Sequence, residues 1–171
     1  MALVGLFALC IVCGGKVSLG FAGTNVPANL QLLFVMLSGI ILGSRLGMIS
    51  ALAYLLVASM IDILWPLNVG SAPMTGLLAG YLWSLPIAAY ASGKVVEKLK
   101  FETFSSYMMA SLIGVAVYET IGSVRLIATM DTEAMWTAVN GTTTILGFHL
   151  AHAFVVTIAG IGASTAARVR N

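Results

Sequence analysis

Six apolar runs, separated only by short polar or glycine- and proline-rich breaks, occupy most of this 171-residue chain. They are Leu3 to Leu19, Leu30 to Ser44, Leu46 to Trp65, Met74 to Val96, Phe104 to Thr129 and Thr137 to Ala166. A helix needs about 20 residues to cross a hydrocarbon layer, and every backbone N–H and C=O inside that layer must be satisfied within the segment. Runs of this length therefore read as membrane helices. The composition agrees: with 60% of residues hydrophobic and 8% charged, a water-soluble domain of this size cannot bury its apolar excess in one core. The expectation is one transmembrane domain over residues 1–171, an all-α, multi-pass protein of the cell membrane with approximate helices 3–19, 30–44, 46–65, 74–96, 104–129 and 137–166. The first twenty residues lack a basic leading segment and a small-residue cleavage site, so they read as the first helix and not as a signal peptide.

The breaks fall at Gly20, Gly23, Asn25 and Pro27, at Gly43 to Gly47 with Arg45, at Pro66 to Pro73, at Lys94 to Glu102, and at Asp131 to Glu133. The second run is short for a span, so its start is expected inside the preceding loop unless the helix sits tilted. Counting Lys and Arg across six spans orients the chain. With the N-terminus inside, Arg45, Lys94, Lys98, Lys100, Arg168 and Arg170 are cytoplasmic, and Lys16 and Arg125 lie toward the outside. Both termini are then cytoplasmic, and Asp62, Glu119, Asp131 and Glu133 all fall in the outer half. Polar chemistry is concentrated on the outer side. A formal net charge of +2 gives no sign of nucleic-acid binding.

Gly39, Gly43 and Gly47 repeat every four residues, as do Gly76 and Gly80, and such small-residue faces let helix backbones approach closely. They are expected to pack helices, not to contact a ligand. Cys10 and Cys13, at i and i+3, suit packing better than a disulfide or a metal site. Pro86 removes a backbone donor within the fourth run, so a kink and a cavity wall are expected there.

Polar groups at membrane depth are costly, and each one facing inward is a functional candidate. They are Gln31, Asn68, Tyr81, Glu119, Arg125, Asn140, His149 and His152. Glu119 and Arg125 stand six residues apart, on nearly opposite faces of one helix, and need partners on different helices. Arg125 reads either as an interfacial snorkelling side chain or as a ligand contact. His149 and His152, at i and i+3, can face one cavity. Two imidazoles so placed can bind a metal, hold a tetrapyrrole, relay protons, donate to a carboxylate, or bond neighbouring hydroxyls. Lining a polar pocket is the better reading, because a two-histidine pair without a third ligand nearby is weak evidence for metal.

No nucleophile arrangement stands out, which argues against an enzyme. Ser92-Gly93-Lys94 is not a phosphate loop, since it lacks the upstream glycine and a Ser or Thr after the lysine. If transport is active, its energy comes from a partner or an ion gradient.

The stretch Val26-Pro27-Ala28-Asn29-Leu30-Gln31, running into Leu37-Ser38-Gly39 and Leu42-Gly43-Ser44-Arg45-Leu46-Gly47, resembles the start of the second helix in the BioY family of biotin-uptake proteins. The register continues through Ser50, Tyr54 and Pro66; Gly80-Tyr81-Leu82 is similar to that family's Gly-Tyr-Leu, and Tyr118 with Gly122 fits its fifth helix. The resemblance implies a substrate-binding S-component of an energy-coupling factor transporter: a six-helix bundle with a vitamin pocket near the outer face, docked on a membrane coupling subunit driven by paired ATPases. No cofactor is implied. The chain departs from the family pattern in two places. His149 and His152 stand where the family typically carries an Asp-x-x-Lys pair that contacts biotin, and Leu77-Leu78-Ala79 replaces Gly-Pro-Thr before Gly80-Tyr81. On the first helix, Cys10 and Gly14 have small-xxx-small spacing in place of a clean Ala-xxx-Ala docking face. The expected function is uptake of a small metabolite, biotin or a related vitamin, with Gln31, Asn68, Tyr81, Glu119, Asn140, His149 and His152 lining the pocket. The alternative is a non-transporting accessory subunit of a larger membrane complex, ligating a pigment or haem through His149 or His152.

Overall fold

A computed structural model describes the backbone of residues 2–19, 28–64, 79–99, 103–129 and 132–170; side chains are described for these residues except 18–19, 28, 61–64, 132–145 and 167–170. Among the described residues, six helices follow in chain order: α1 (Ala2–Lys16), α2 (Gln31–Leu42), α3 (Ser44–Leu64), α4 (Ala79–Leu99), α5 (Phe104–Thr129) and α6 (Thr132–Arg170). A two-residue antiparallel pairing, Ser18–Leu19 with Ala28–Asn29, closes the connection between α1 and α2.

That pairing corrects the expected start of the second helix. Ala28 and Asn29 are committed to the strand pair, and the Asn29 Oδ1 accepts from the Gln31 backbone N–H at 3.1 Å, so α2 begins at Gln31 and stays 12 residues long. The same pairing takes Ser18 and Leu19 out of α1. At the other end of the chain, Thr132 and Glu133 open α6 instead of standing in a break, and the helix starts five residues before the expected Thr137. An acidic residue in a helix's first turn faces the positive end of its dipole, which makes it a start signal as well as a break signal.

The bundle is held where three helices meet at glycine. α2 and α3 are separated by one residue, Gly43, whose φ of 87° lies in the left-handed region that glycine enters without a Cβ penalty. The turn folds α3 back on α2 so closely that a Cβ on Gly47 would stand 2.5 Å from the Gly39 Cα. α4 crosses the same spot: a Cβ on Gly39 would run into the Ala89 carbonyl oxygen, and one on Gly93 would stand 2.6 Å from the Ser44 Cα and N. Of the three glycines spaced by four, Gly39 and Gly47 therefore pack backbones, and Gly43 is the joint between helices. On α1, Gly14 faces α2, where a Cβ would meet Phe34 Cδ2 at 2.7 Å and the Leu30 carbonyl oxygen at 3.0 Å. Its small-residue spacing with Cys10 serves internal packing.

Glu97 locks the joint from α4. Its Oε1 accepts from the Ser44 backbone N–H at 2.8 Å and from the Ser44 hydroxyl at 2.7 Å, capping the first turn of α3, and its Oε2 accepts from Lys94 Nζ at 3.1 Å. These hydrogen bonds, those from Ser44 foremost, hold the Glu97 carboxyl well below the usual carboxylate range, at about 2.

The outer surface is apolar. Leu3, Leu6 and Leu9 on α1, Leu56 and Met60 on α3, Val124 on α5 and Phe154 and Ile158 on α6 are all exposed, Leu56 by 64%. Apolar exposure on this scale suits a hydrocarbon solvent. α5 and the Leu146–Ala166 part of α6 are each long and apolar enough to cross a membrane; α1, α2 and the Ser44–Met60 part of α3 are shorter apolar helices. α4 runs helically through Pro86, which is buried, so the proline spends its missing donor inside the bundle.

Two predictions follow from this packing. Gly39→Ala and Gly93→Ala should each lower thermal stability in detergent by more than the roughly 1–3 kcal/mol typical of overpacking, because the obstacle is backbone. Gly5→Ala and Gly147→Ala, where a Cβ meets nothing within 4 Å, should be neutral or gain up to about 1 kcal/mol of helix propensity. Glu97→Gln should cost roughly 1 kcal/mol, as the loss of a helix cap does. Because the Glu97 carboxyl is depressed from 4.5 to about 2, its contribution is complete above pH 4.5 and lost as pH falls toward 2. Acid unfolding followed by circular dichroism should lose that segment of its pH dependence in the variant.

Candidate functional site

Tyr81 and Glu97 stand 16 residues apart on α4, about 24 Å along the helix at 1.5 Å per residue. Away from the Glu97 lock, at the Tyr81 end, lies a cluster of aromatic and ionisable side chains. Its position follows from a second pair of glycines. A Cβ on Gly122 of α5 would overlap the Tyr81 ring, and one on Gly80 would overlap the Arg125 Cβ, so α4 lies against α5 with Tyr81 flat on the glycine gap.

From there the contacts pass ring to ring. Tyr81 and Tyr118 have centroids 5.0 Å apart, and Tyr118 meets His149 of α6 edge-on at 5.2 Å. His149 and His152 are 5.9 Å apart, and Phe148 packs edgewise on His152 at 4.1 Å. The expected i, i+3 pairing of the histidines on one face is thus realised, with both rings buried.

Glu119 finds its partner across the helix interface. Its Oε1 lies 2.5 Å from His149 Nδ1, which joins α5 to α6 across 30 positions of sequence. With the carboxylate ionised, the imidazole donates from Nδ1, and the bond sets the tautomer and the ring's orientation. Sequence spacing alone pointed to a partner for Glu119 on another helix without saying which.

The bonding is incomplete. Among the described residues, five buried side-chain atoms lack a hydrogen-bond partner: Gln31 Nε2, Ser92 Oγ, Glu119 Oε2, and both ring nitrogens of His152. Three of them belong to this cluster. A buried polar atom left unpaired costs about 1–3 kcal/mol, so these three atoms stand out as bonding capacity that the described residues leave unused. The free carboxylate oxygen accepts; a neutral imidazole donates from one nitrogen and accepts at the other.

The expected pocket residues divide accordingly. Tyr81, Glu119, His149 and His152 are brought together. Gln31 is buried at the start of α2, its side chain beside Gly15 of α1. Asn68 lies outside the described residues, and Asn140 is on α6 with its side chain outside them. Arg125 packs its Cβ beside Gly80. Tyr118 and Phe148 complete the ring stack but were not on the list of pocket candidates. The signal for Tyr118 was its register with Gly122 four residues on; Phe148, one of many apolar residues in its run, carried none.

Comparison with known proteins gives the cluster its family setting. The chain is 32% identical over 123 residues to the "Probable biotin transporter BioY" of Pyrococcus horikoshii, covering 71% of this chain and 70% of that one. It is 29% identical over 119 residues to the "Biotin transporter BioY" of Thermotoga maritima, covering 69% and 68%. To the protein of the same name from Rhodobacter capsulatus it is 40% identical over 104 residues, covering 58% and 53%. In three dimensions it matches the S-component for biotin from an ECF-type ABC transporter, with a TM-score of 0.76, 21% identity, and coverage of 96% of this chain and 89% of that one. That likeness shows that the two share a fold. The profile of the BioY family matches residues 1–169, nearly the full length, and the chain belongs to the BioY family.

Proposed function

We propose that this protein is the membrane-embedded substrate-binding subunit of a biotin uptake system, and that Tyr81, Tyr118, Glu119, His149 and His152 form the polar end of its pocket. The observation that carries the reading is the convergence of unpaired buried polar atoms, Glu119 Oε2 and both His152 nitrogens, beside a stack of aromatic rings. Biotin offers what these atoms lack: a cyclic urea with two N–H donors and a carbonyl acceptor, next to an apolar ring that suits aromatic walls. Gln31, Asn68 and Asn140 are further candidates to line the same pocket.

The cluster's chemistry is its own. His149 and His152 occupy the positions of the Asp-x-x-Lys pair that the family resemblance implies, and Glu119 returns a carboxylate to the site from α5. Acceptor and donor are both still present, drawn from two helices.

The six helices span the membrane with both termini in the cytoplasm. The Lys and Arg bias and the exposed apolar surface support this topology. The Glu97 lock then faces the cytoplasm and the histidine cluster lies toward the outside. With no phosphate loop in the chain, uptake draws its energy from partners: a membrane coupling subunit and paired ATPases, as the name of the structural neighbour suggests. Family membership favours this reading over a pigment- or haem-bearing accessory subunit.

Titration calorimetry of the purified protein against biotin tests the proposal. Glu119→Gln and His149→Ala should each weaken binding by roughly 10- to 100-fold, the loss of about 1.4–3 kcal/mol expected when a buried charge-assisted bond is broken. Wild-type affinity in both variants would assign the pair to packing. Gly122→Ala should also weaken binding, because the new methyl group displaces Tyr81. Gly162→Ala, with open space around it, should leave affinity unchanged.

A further inference from the structure

His152 differs from every other buried polar group in this cluster because neither of its ring nitrogens is satisfied. Its surroundings define which form of the ring they tolerate. α6 packs against α5 and α2. α2 carries no titratable side chain. From α5 come Glu119, whose Oε1 is taken by His149, and Tyr118, which meets the His149 ring edge-on. Tyr81 of α4 reaches the group through Tyr118, and Arg125 lies further along α5 against Gly80. On its own helix His152 has His149 at 5.9 Å and the Phe148 ring at 4.1 Å. A protonated ring in that setting would present two donors, with a second imidazole beside it and no carboxylate bonded to it. A neutral ring asks only for one acceptor and one donor. Burying an uncompensated charge costs far more than burying an unpaired neutral group.

We propose that His152 reads the ligand as a neutral imidazole, one nitrogen donating to a carbonyl oxygen and the other accepting from an N–H, so that capture of a urea- or amide-bearing ligand weakens when the ring is protonated. The inference rests on the biotin-binding reading above and adds to it a rule of specificity and its pH dependence. A charged lysine at this position would donate only. A histidine makes the site choose a neutral donor–acceptor group and ties its occupancy to acidity.

The test is calorimetric titration of the full-length protein with biotin and with biotin methyl ester, which shares the ring system but has no titrating tail, between about pH 8 and about pH 4, a window that reaches well below an ordinary histidine. For both ligands, wild-type affinity should fall toward roughly tenfold per pH unit at the acid end, the slope for one proton excluded by the ligand. His152→Gln supplies a donor and an acceptor that do not titrate. Relative to its own affinity at about pH 8, it should lose most of the pH dependence. His152→Asn serves if Gln does not fit. Independently of any variant, titrations of the wild type in two buffers of different ionisation enthalpy should show proton release on binding at acidic pH and none at about pH 8. A flat wild-type profile without proton release, or a pH dependence that survives in His152→Gln, overturns the proposal while leaving the biotin reading intact. Failure of the wild type to bind either ligand at about pH 8 overturns both.

Discussion

The bundle depends on the contact of α2, α3 and α4 at Gly39, Gly47 and Gly93, where backbone meets backbone with no side chain between. In water, helices associate by hiding apolar side chains; in lipid that drive is absent, and close van der Waals packing through small residues takes its place. The three glycines permit approach distances at which a single Cβ would clash with a carbonyl or an α-carbon. Gly43 supplies the turn that brings the first two helices together, and Glu97 of the third caps the helix that leaves the turn. The same device recurs toward the other end of α4, where Gly80 and Gly122 let α4 and α5 close. There the gap is filled by the ring of Tyr81, and the ring stack toward the histidines starts from it.

Much of the fold was legible in the sequence because membrane helices announce themselves by length and hydropathy. The fifth run was read as Phe104 to Thr129 and forms a helix over that span. Legibility failed where one residue type serves two purposes. Asp131 to Glu133 reads as a break by charge, yet Thr132 and Glu133 form the first turn of α6. Ser18 and Leu19 read as the end of an apolar run, yet they pair with Ala28 and Asn29, an interaction across a loop that no local pattern shows.

The site was legible in its parts and not in its connections. His149 and His152 at i, i+3 had to share a face, and they do, because helical periodicity relates residues on one helix. The bond from Glu119 to His149 relates two helices whose relative register is set by packing. No spacing rule reaches across that interface. Gly122 was visible only as a match in register; its physical role appears once the Tyr81 ring is seen lying over it.

Glu97 and Glu119 show how the molecule divides its polar chemistry. Glu97, half-exposed at the end of α4, accepts from a backbone N–H, a hydroxyl and an ammonium group, more partners than its exposure requires. Glu119, deep in the apolar span of α5, has one partner and an oxygen left over. If stability alone had shaped these positions, the arrangement would be the reverse, since an unsatisfied acceptor costs more where water is excluded. Under the proposed function, a site that takes up and releases a polar ligand inside the bundle needs such an inversion. The end that holds the fold is saturated with hydrogen bonds, and the end proposed to meet the ligand keeps bonding capacity free.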